Sequence, residues 1–221
     1  KTPLEYVRDL FAEGIQPQKV IIGYDHRFGR NREGSFDSLI NLGKVFGFSV
    51  EELPVQTIED TKVSSTKVRE ALQAGHVAQA RRWLNRPYPL SGQVQRGEQL
   101  GRKLGYPTAN LLIKNPLKLV PAAGVYAVFA RLEGEQTWNP AMVNIGTRPT
   151  IESDAIEQQI EVHLLQGGRQ CYSERIDLRF MKRMRDEVAF DGLKALKQQL
   201  QQDEINARSY LDTVQDSFVS N

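Results

Sequence analysis

Apolar residues in the first 84 positions alternate between helical spacing and short unbroken runs. Leu4, Val7, Leu10 and Phe11 fall on one helical face, and Gly14 breaks the pattern. Val20, Ile21 and Ile22 follow as an apolar run ending in Gly23, with no polar residue between them. Such a run predicts a strand buried on both faces, as in a parallel sheet flanked by helices. A second helical pattern covers Ser35 to Phe46, and Val50 to Val55 predicts the next strand. Ser64, Ser65 and Thr66 offer N-cap hydroxyls, with Val68, Ala71 and Leu72 as the apolar stripe behind them. Gly75 ends that helix, and Val77, Ala80 and Leu84 mark another. Strand and helix in alternation indicate an α/β unit.

Asn85-Arg86-Pro87-Tyr88-Pro89 interrupts this rhythm. Two prolines one residue apart cannot continue a helix, so the domain boundary is placed there, giving domains 1–86 and 87–221. Beyond it the pattern is that of short strands: Leu90 to Val94, Ala109 to Ile113, Gly124 to Leu132, Ala141 to Ile145, Gln158 to Leu165 and Glu174 to Met181. Clusters of Gly, Pro and Asn separate them. Six such strands predict a small closed antiparallel barrel. Asp191 then caps a long helix whose apolar face carries Leu193, Leu196, Leu200, Ala207 and Leu211, placed against the barrel.

Composition narrows the picture. A formal net charge of +2 over 221 residues gives no support to a nucleic-acid or membrane-surface role. Cys171 is the single cysteine, so no intramolecular disulfide can form, and a reducing, cytoplasmic setting is the expectation. No apolar run is long enough for a spanning helix. The first ten residues are polar and charged and do not read as a signal peptide. Without an initiator Met, the sequence is expected to begin inside a longer protein.

The densest chemistry is Gly101-Arg102-Lys103-Leu104-Gly105-Tyr106-Pro107-Thr108-Ala109-Asn110. Two glycines let the backbone approach a ligand closely. Successive amides in such a loop can cradle phosphate oxygens, and Arg102 and Lys103 add positive charge. Thr108 and Asn110 point to one side of a strand and present hard oxygen ligands suited to Mg²⁺. A glycine-rich hairpin with a polar strand start has the same spacing.

The ten-residue string as a whole resembles the G-R-x-L-G-F-P-T-A-N signature of riboflavin kinases, with Tyr106 in place of Phe. The likeness continues in the family's order. Gly124-Val125-Tyr126 looks like a barrel strand of that family, and Asn144 to Thr150 matches its I-G-x-R-P-T segment. Ile160-Glu161-Val162-His163-Leu164 matches the strand that carries the catalytic glutamate. Arg185, Glu187 and Phe190 match an R-x-E-x-x-F element that closes over the flavin. One segment departs: where the family has a D-x-Y-G turn, this chain has Gln166 to Ser173, which keeps Tyr172 but lacks the Asp and the Gly.

The resemblance implies that Glu161 is the catalytic base, because an alcohol is a poor nucleophile until its proton is removed. It implies ATP and phosphate binding by Gly101, Arg102, Lys103, Gly105, Thr108 and Asn110, with Thr108 and Asn110 organising Mg²⁺. Arg185, Glu187 and Phe190 would bind the flavin. On pattern alone, Glu161 between Ile160 and Val162 reads rather as a solvated strand face, and Arg185 with Glu187 could be an ordinary surface pair. His163 shares the face of Glu161 and is expected to be packed or hydrogen-bonded.

The N-terminal part resembles the back half of bacterial FMN adenylyltransferases, which have a nucleotidylyltransferase (Rossmann-like) α/β fold. Gly23, Asp25, Arg32 and Gly34 match their G-x-D-F-R-F-G-x-x-R-x-G segment, with His26 in place of Phe. Ser64, Ser65, Thr66 and Arg69 match an S-S-T-x-I-R motif, a hydroxyl-rich helix start of the kind that attracts phosphate. A plain N-cap would look the same. That fold's H-x-G-H motif has no counterpart among His26, His76 and His163, so adenylyl transfer to FAD is expected to be absent. The reading is a riboflavin kinase that converts riboflavin and ATP to FMN and ADP. Its partners are small molecules rather than nucleic acid or membrane, and the oligomeric state is left open. The alternatives are a non-catalytic barrel that binds flavin or single-stranded nucleic acid, and a structural adaptor.

Overall fold

A computed structural model describes residues 1–54, 57–58, 61–95, 101, 104–149, 156–167 and 172–218. Arg102, Lys103, Thr150 and the Gly168 to Cys171 part of the altered turn lie outside the described residues. The chain divides into two compact units, Lys1–Val63 and Ser64–Asn221.

In the first unit Thr2 and Glu5 form a capping box at the start of helix α1 (Pro3–Tyr6). The helix continues in π-helical winding over Val7–Ile15. It therefore runs past Gly14 rather than stopping there, and Gln16 takes the left-handed conformation that closes it. Strand β1 (Lys19–Gly23) pairs in parallel with β2 (Ser49–Leu53), and helix α2 (Phe36–Phe46) connects them. A short hairpin, β3 (Thr57–Ile58) and β4 (Thr61–Lys62), ends the unit. The core is Val7, Ile22, Phe28, Leu39 and Phe48. The expectation that β1 is buried on both faces does not hold: Ile21 is 53% exposed. The sheet has two strands, and α1 with its continuation and α2 pack on the Ile22 side, so the alternate residue points outward.

The second unit opens with helices α3 (Ser65–Gln73) and α4 (Val77–Leu84). Ser64 caps α3 by accepting from the Lys67 N–H. Six antiparallel strands then close into a barrel: β5 (Tyr88–Gln95), β6 (Ala109–Leu112), β7 (Gly124–Leu132), β8 (Asn139–Pro149), β9 (Ile156–Leu164) and β10 (Arg175–Arg185). Their order around the barrel is β10-β5-β6-β9-β8-β7. Alternate residues such as Leu90, Val128, Val143, Ile160, Leu178 and Phe180 fill the interior. Ala71, Leu72, Val77 and Ala80 from α3 and α4 belong to that same core. These helices therefore fall in the compact unit that begins at Ser64, upstream of the change from helix to strand near Pro87.

Helix α5 (Leu193–Phe218) buries Ala207 and Leu211 against the outer barrel face, where Ala127, Phe129, Met142 and Met181 form a second core. The helix thus covers a sheet that is apolar on both sides, which is why β7 shows no polar alternation. Leu193 departs from its expected place against the barrel and is 56% exposed. It lies in the first turn, before the helix reaches the sheet. Leu196 and Leu200 line a cleft between helix and barrel.

Candidate active site

That cleft, about 340 Å³, is bounded by β6, β8 and β9, the glycine loop, the segment after β10 and the first turns of α5. Its volume lies within the range of small-molecule pockets. Strand pleating places the polar residues. Ile160 and Val162 point into the barrel, so Gln159, Glu161 and His163 project together into the cleft. Register adds the next residues: Asn110 on β6 and Asn144 on β8 both pair with Glu161 on β9. Asn110, Glu161 and Asn144 thus form one lateral row across three strands.

Gln159 ties this row together. Its side-chain amide donates to Asn110 Oδ1 at 2.9 Å and to Glu161 Oε1 at 2.8 Å. One donor group therefore fixes both the carboxylate and the amide oxygen beside it. Sequence reasoning missed Gln159, although its position two residues before Glu161 on a strand places it on the same face.

The loop preceding β6 is closed by the Tyr106 N–H donating to the Gly101 carbonyl at 2.8 Å. A Cβ on Gly101 would strike the Tyr106 carbonyl, and Gly105 has φ of +87°. Both glycines are thus required by local geometry. Gly101, Thr108 and Asn110 line the cleft, while Gly105 shapes the turn. The loop is pinned at His163, whose Nδ1 is 2.9 Å from the Pro107 carbonyl and whose ring lies 5.2 Å from that of Tyr106. His163 is hydrogen-bonded and packed, in line with expectation. Burial, with a hydrogen bond to Glu204 second, pushes the Tyr106 hydroxyl above its ordinary range.

On the opposite wall, Arg185 is held by Asp203 of α5. Its Nε and Nη2 donate to the Asp203 carboxylate at 2.7–3.1 Å, and Nη1 donates to the Asp186 carbonyl. Asp203 is only 3% exposed and also accepts from Gln199. Arg185 and Glu187 are therefore not a surface pair with each other: Arg185 pairs with a buried acid, and the Glu187 carboxylate lies against Gly146. The Arg185 guanidinium sits 5.7 Å from the Phe190 ring centre. Asp203 is a second residue that sequence reasoning missed, since it falls among the polar positions of a long helix.

Thr108 and Asn110 supply neutral oxygens to the cleft. Among the described residues no group of three or more His, Cys, Asp or Glu could hold a metal ion. This donor set fits a hard cation carried in on phosphate groups, not an all-protein cage. The residues of the N-terminal motifs fall in both units: Gly23, Asp25 and Arg32 in the first, Ser64, Ser65, Thr66 and Arg69 at the start of the second.

Comparison with known proteins places these features. A riboflavin kinase family model matches residues 84–211, and an FAD synthetase model matches residues 1–67. Among curated relatives, the bifunctional riboflavin kinase/FMN adenylyltransferases of Pseudomonas fluorescens and Escherichia coli K12 are 38% and 37% identical. The matches cover 93% and 95% of this chain and 64% and 65% of those proteins, so the chain spans just under two thirds of their length. The Bacillus subtilis relative of the same description is 35% identical over 96% of this chain and 66% of its own length. A solved Streptococcus pneumoniae structure, described as a macrolide-efflux protein, superposes with a TM-score of 0.82 at 30% identity, covering 94% of this chain and 65% of that one. Among the described residues of this chain, no helix is long and apolar enough to cross a membrane. The riboflavin kinase model spans more than half of the chain and takes in the whole barrel and its cleft, and the chain belongs to the riboflavin kinase family.

Proposed function

We propose that this chain transfers the γ-phosphoryl group of ATP to the terminal ribityl hydroxyl of riboflavin, giving FMN and ADP. The observation that carries the reading is the Asn110, Glu161 and Asn144 row, tied by Gln159 and set beside the closed glycine loop. The hydroxyl oxygen of riboflavin forms the new bond to the γ-phosphorus, the bond to the β,γ-bridging oxygen breaks, and ADP leaves. Glu161 receives the hydroxyl proton. The Gly101 to Tyr106 loop, with Arg102 and Lys103, would bind the nucleotide phosphates. Thr108 and Asn110 would hold a nucleotide-bound Mg²⁺, which neutralises phosphate charge. Phe190 and Val188 offer apolar surface to an isoalloxazine ring, with Arg185 and Glu187 beside them. The reaction relies on positioning and charge stabilisation, which suits a site with one candidate base.

The work is expected to take place in solution with small molecules as partners, in a reducing cytoplasm. A nucleic-acid-binding barrel is not favoured, since the described lining of the cleft carries three carboxylates, Glu161, Glu187 and Asp203, against one arginine, in place of a basic groove.

Glu161→Gln tests the assignment. Turnover should fall by about 10²–10⁴, the usual worth of a general base, with riboflavin affinity changed much less. Near-normal turnover would remove Glu161 from the mechanism.

A further inference from the structure

Register shows where the rows of the cleft wall end. Arg185 on β10, Val125 on β7, Asn144 on β8, Glu161 on β9 and Asn110 on β6 stand in one row. In the next row along β8, Gly146 pairs with Gln159 on β9. Strand β7 begins at Gly124, opposite Ile145, so Gly146 lies one residue beyond the β7 edge.

Pleating decides what faces the cleft there. Ile145 packs inside the barrel, so Asn144 and Gly146 lie on the cleft side. Gln159 brings a side chain to its half of the pair, whereas Gly146 offers bare, buried backbone. The segment after β10 fills the gap. Arg185 is anchored to Asp203, and Glu187, two residues on, lays its carboxylate over Gly146. A Cβ on Gly146 would strike Glu187 Oε1, with Cδ at 3.3 Å and Oε2 at 3.5 Å. The three nearest atoms it would meet thus all belong to one carboxylate. Gly146 is not among the residues with positive φ, so the strand backbone does not itself require glycine there. The space is what the site uses. Among the described residues no hydrogen bond or ion pair engages the Glu187 carboxylate, so its oxygens are open to donors of a ligand.

We propose that Gly146 is a positioning residue for the flavin side of the cleft. By lacking a side chain it seats the Glu187 carboxylate on the row of Gln159, where it accepts a hydrogen bond from a hydroxyl or the imide N–H of riboflavin. The inference rests on the proposed riboflavin kinase reading. It adds that the cleft takes its shape on this side from an absent side chain on β8, not only from the residues that touch the ligand.

The test compares the full chain with Gly146→Ala, Glu187→Ala and the double variant. Riboflavin affinity is read by quenching of flavin fluorescence with MgADP present. Alanine suits a strand backbone, and what it displaces is the far end of a flexible side chain, so the melting temperature should hold. Gly146→Ala should weaken riboflavin binding about tenfold, the worth of one hydrogen bond to a charged group. KM for riboflavin should rise in step while kcat at saturation holds, since Gln159 still fixes Glu161. The double variant should bind no more weakly than Glu187→Ala, because both changes act through the same carboxylate. Unchanged affinity in Gly146→Ala would overturn this inference alone. So would additive losses in the double variant, or a lower kcat with KM unchanged, which marks a merely structural glycine. Failure of the unaltered chain to bind riboflavin would overturn the proposed function, and this inference with it.

Discussion

At the scale of single residues, the candidate active site depends on side chains held by a second group. Gln159 fixes Glu161 and Asn110, and Asp203 fixes Arg185. Glu161, Thr108 and Asn110 were legible in the sequence because they sit inside short, specific strings. Gln159 and Asp203 were not, because their importance comes from partners 49 and 18 residues away in the chain. Removing Asp203 by Asp203→Ala would leave a partly buried guanidinium without its acid. The loss should fall below the ~3–5 kcal/mol typical of a fully buried pair, because Arg185 is partly solvated. Chemical denaturation would measure it, and a change within error would mean that solvent replaces the pair. Asp177 carries a pH signature. Burial raises its pKa, but the hydrogen bonds from Ser91, Arg131 and Arg175 outweigh that and hold it below its ordinary value near 3.8. A depressed folded-state pKa contributes stability that is fully present above the unfolded value and is lost as pH falls through the folded one. Asp177→Asn should therefore flatten the acid limb of the stability curve below about pH 4, which melting curves across that range would read. An unchanged acid limb would exclude this role.

At the scale of elements, the period of the apolar pattern located all six barrel strands, with ends shifted by a few residues. The β7 core residues, buried on both faces, stood out as a long apolar run. The exposed side of β1 did not, because whether a strand has a second layer over it is a tertiary fact. The Arg185 to Phe190 segment is the element best placed to act as a lid. It leaves the sheet after β10, has no regular structure over 186–190, and presents Val188 and Phe190 to the cleft. Its anchor, the Arg185 and Asp203 pair, belongs to the rigid wall. Adding riboflavin with ADP should slow amide exchange in 186–190 more than in the barrel strands. Equal exchange with and without ligands would argue against a lid.

At the scale of the molecule, the chain joins a small α/β unit to a barrel whose core also takes in α3 and α4. Sequence grammar separated helices from strands at Pro87, but packing groups those two helices with the barrel. Only contact between their apolar stripe and the barrel end could reveal this. The catalytic proposal rests wholly on the second unit. No two of His26, His76 and His163 have the spacing of an H-x-G-H motif. The most direct measurement incubates the full chain with riboflavin and MgATP and separates the products by chromatography. The account predicts FMN and ADP in equal amounts. Riboflavin and ATP recovered unchanged from a folded chain would contradict it.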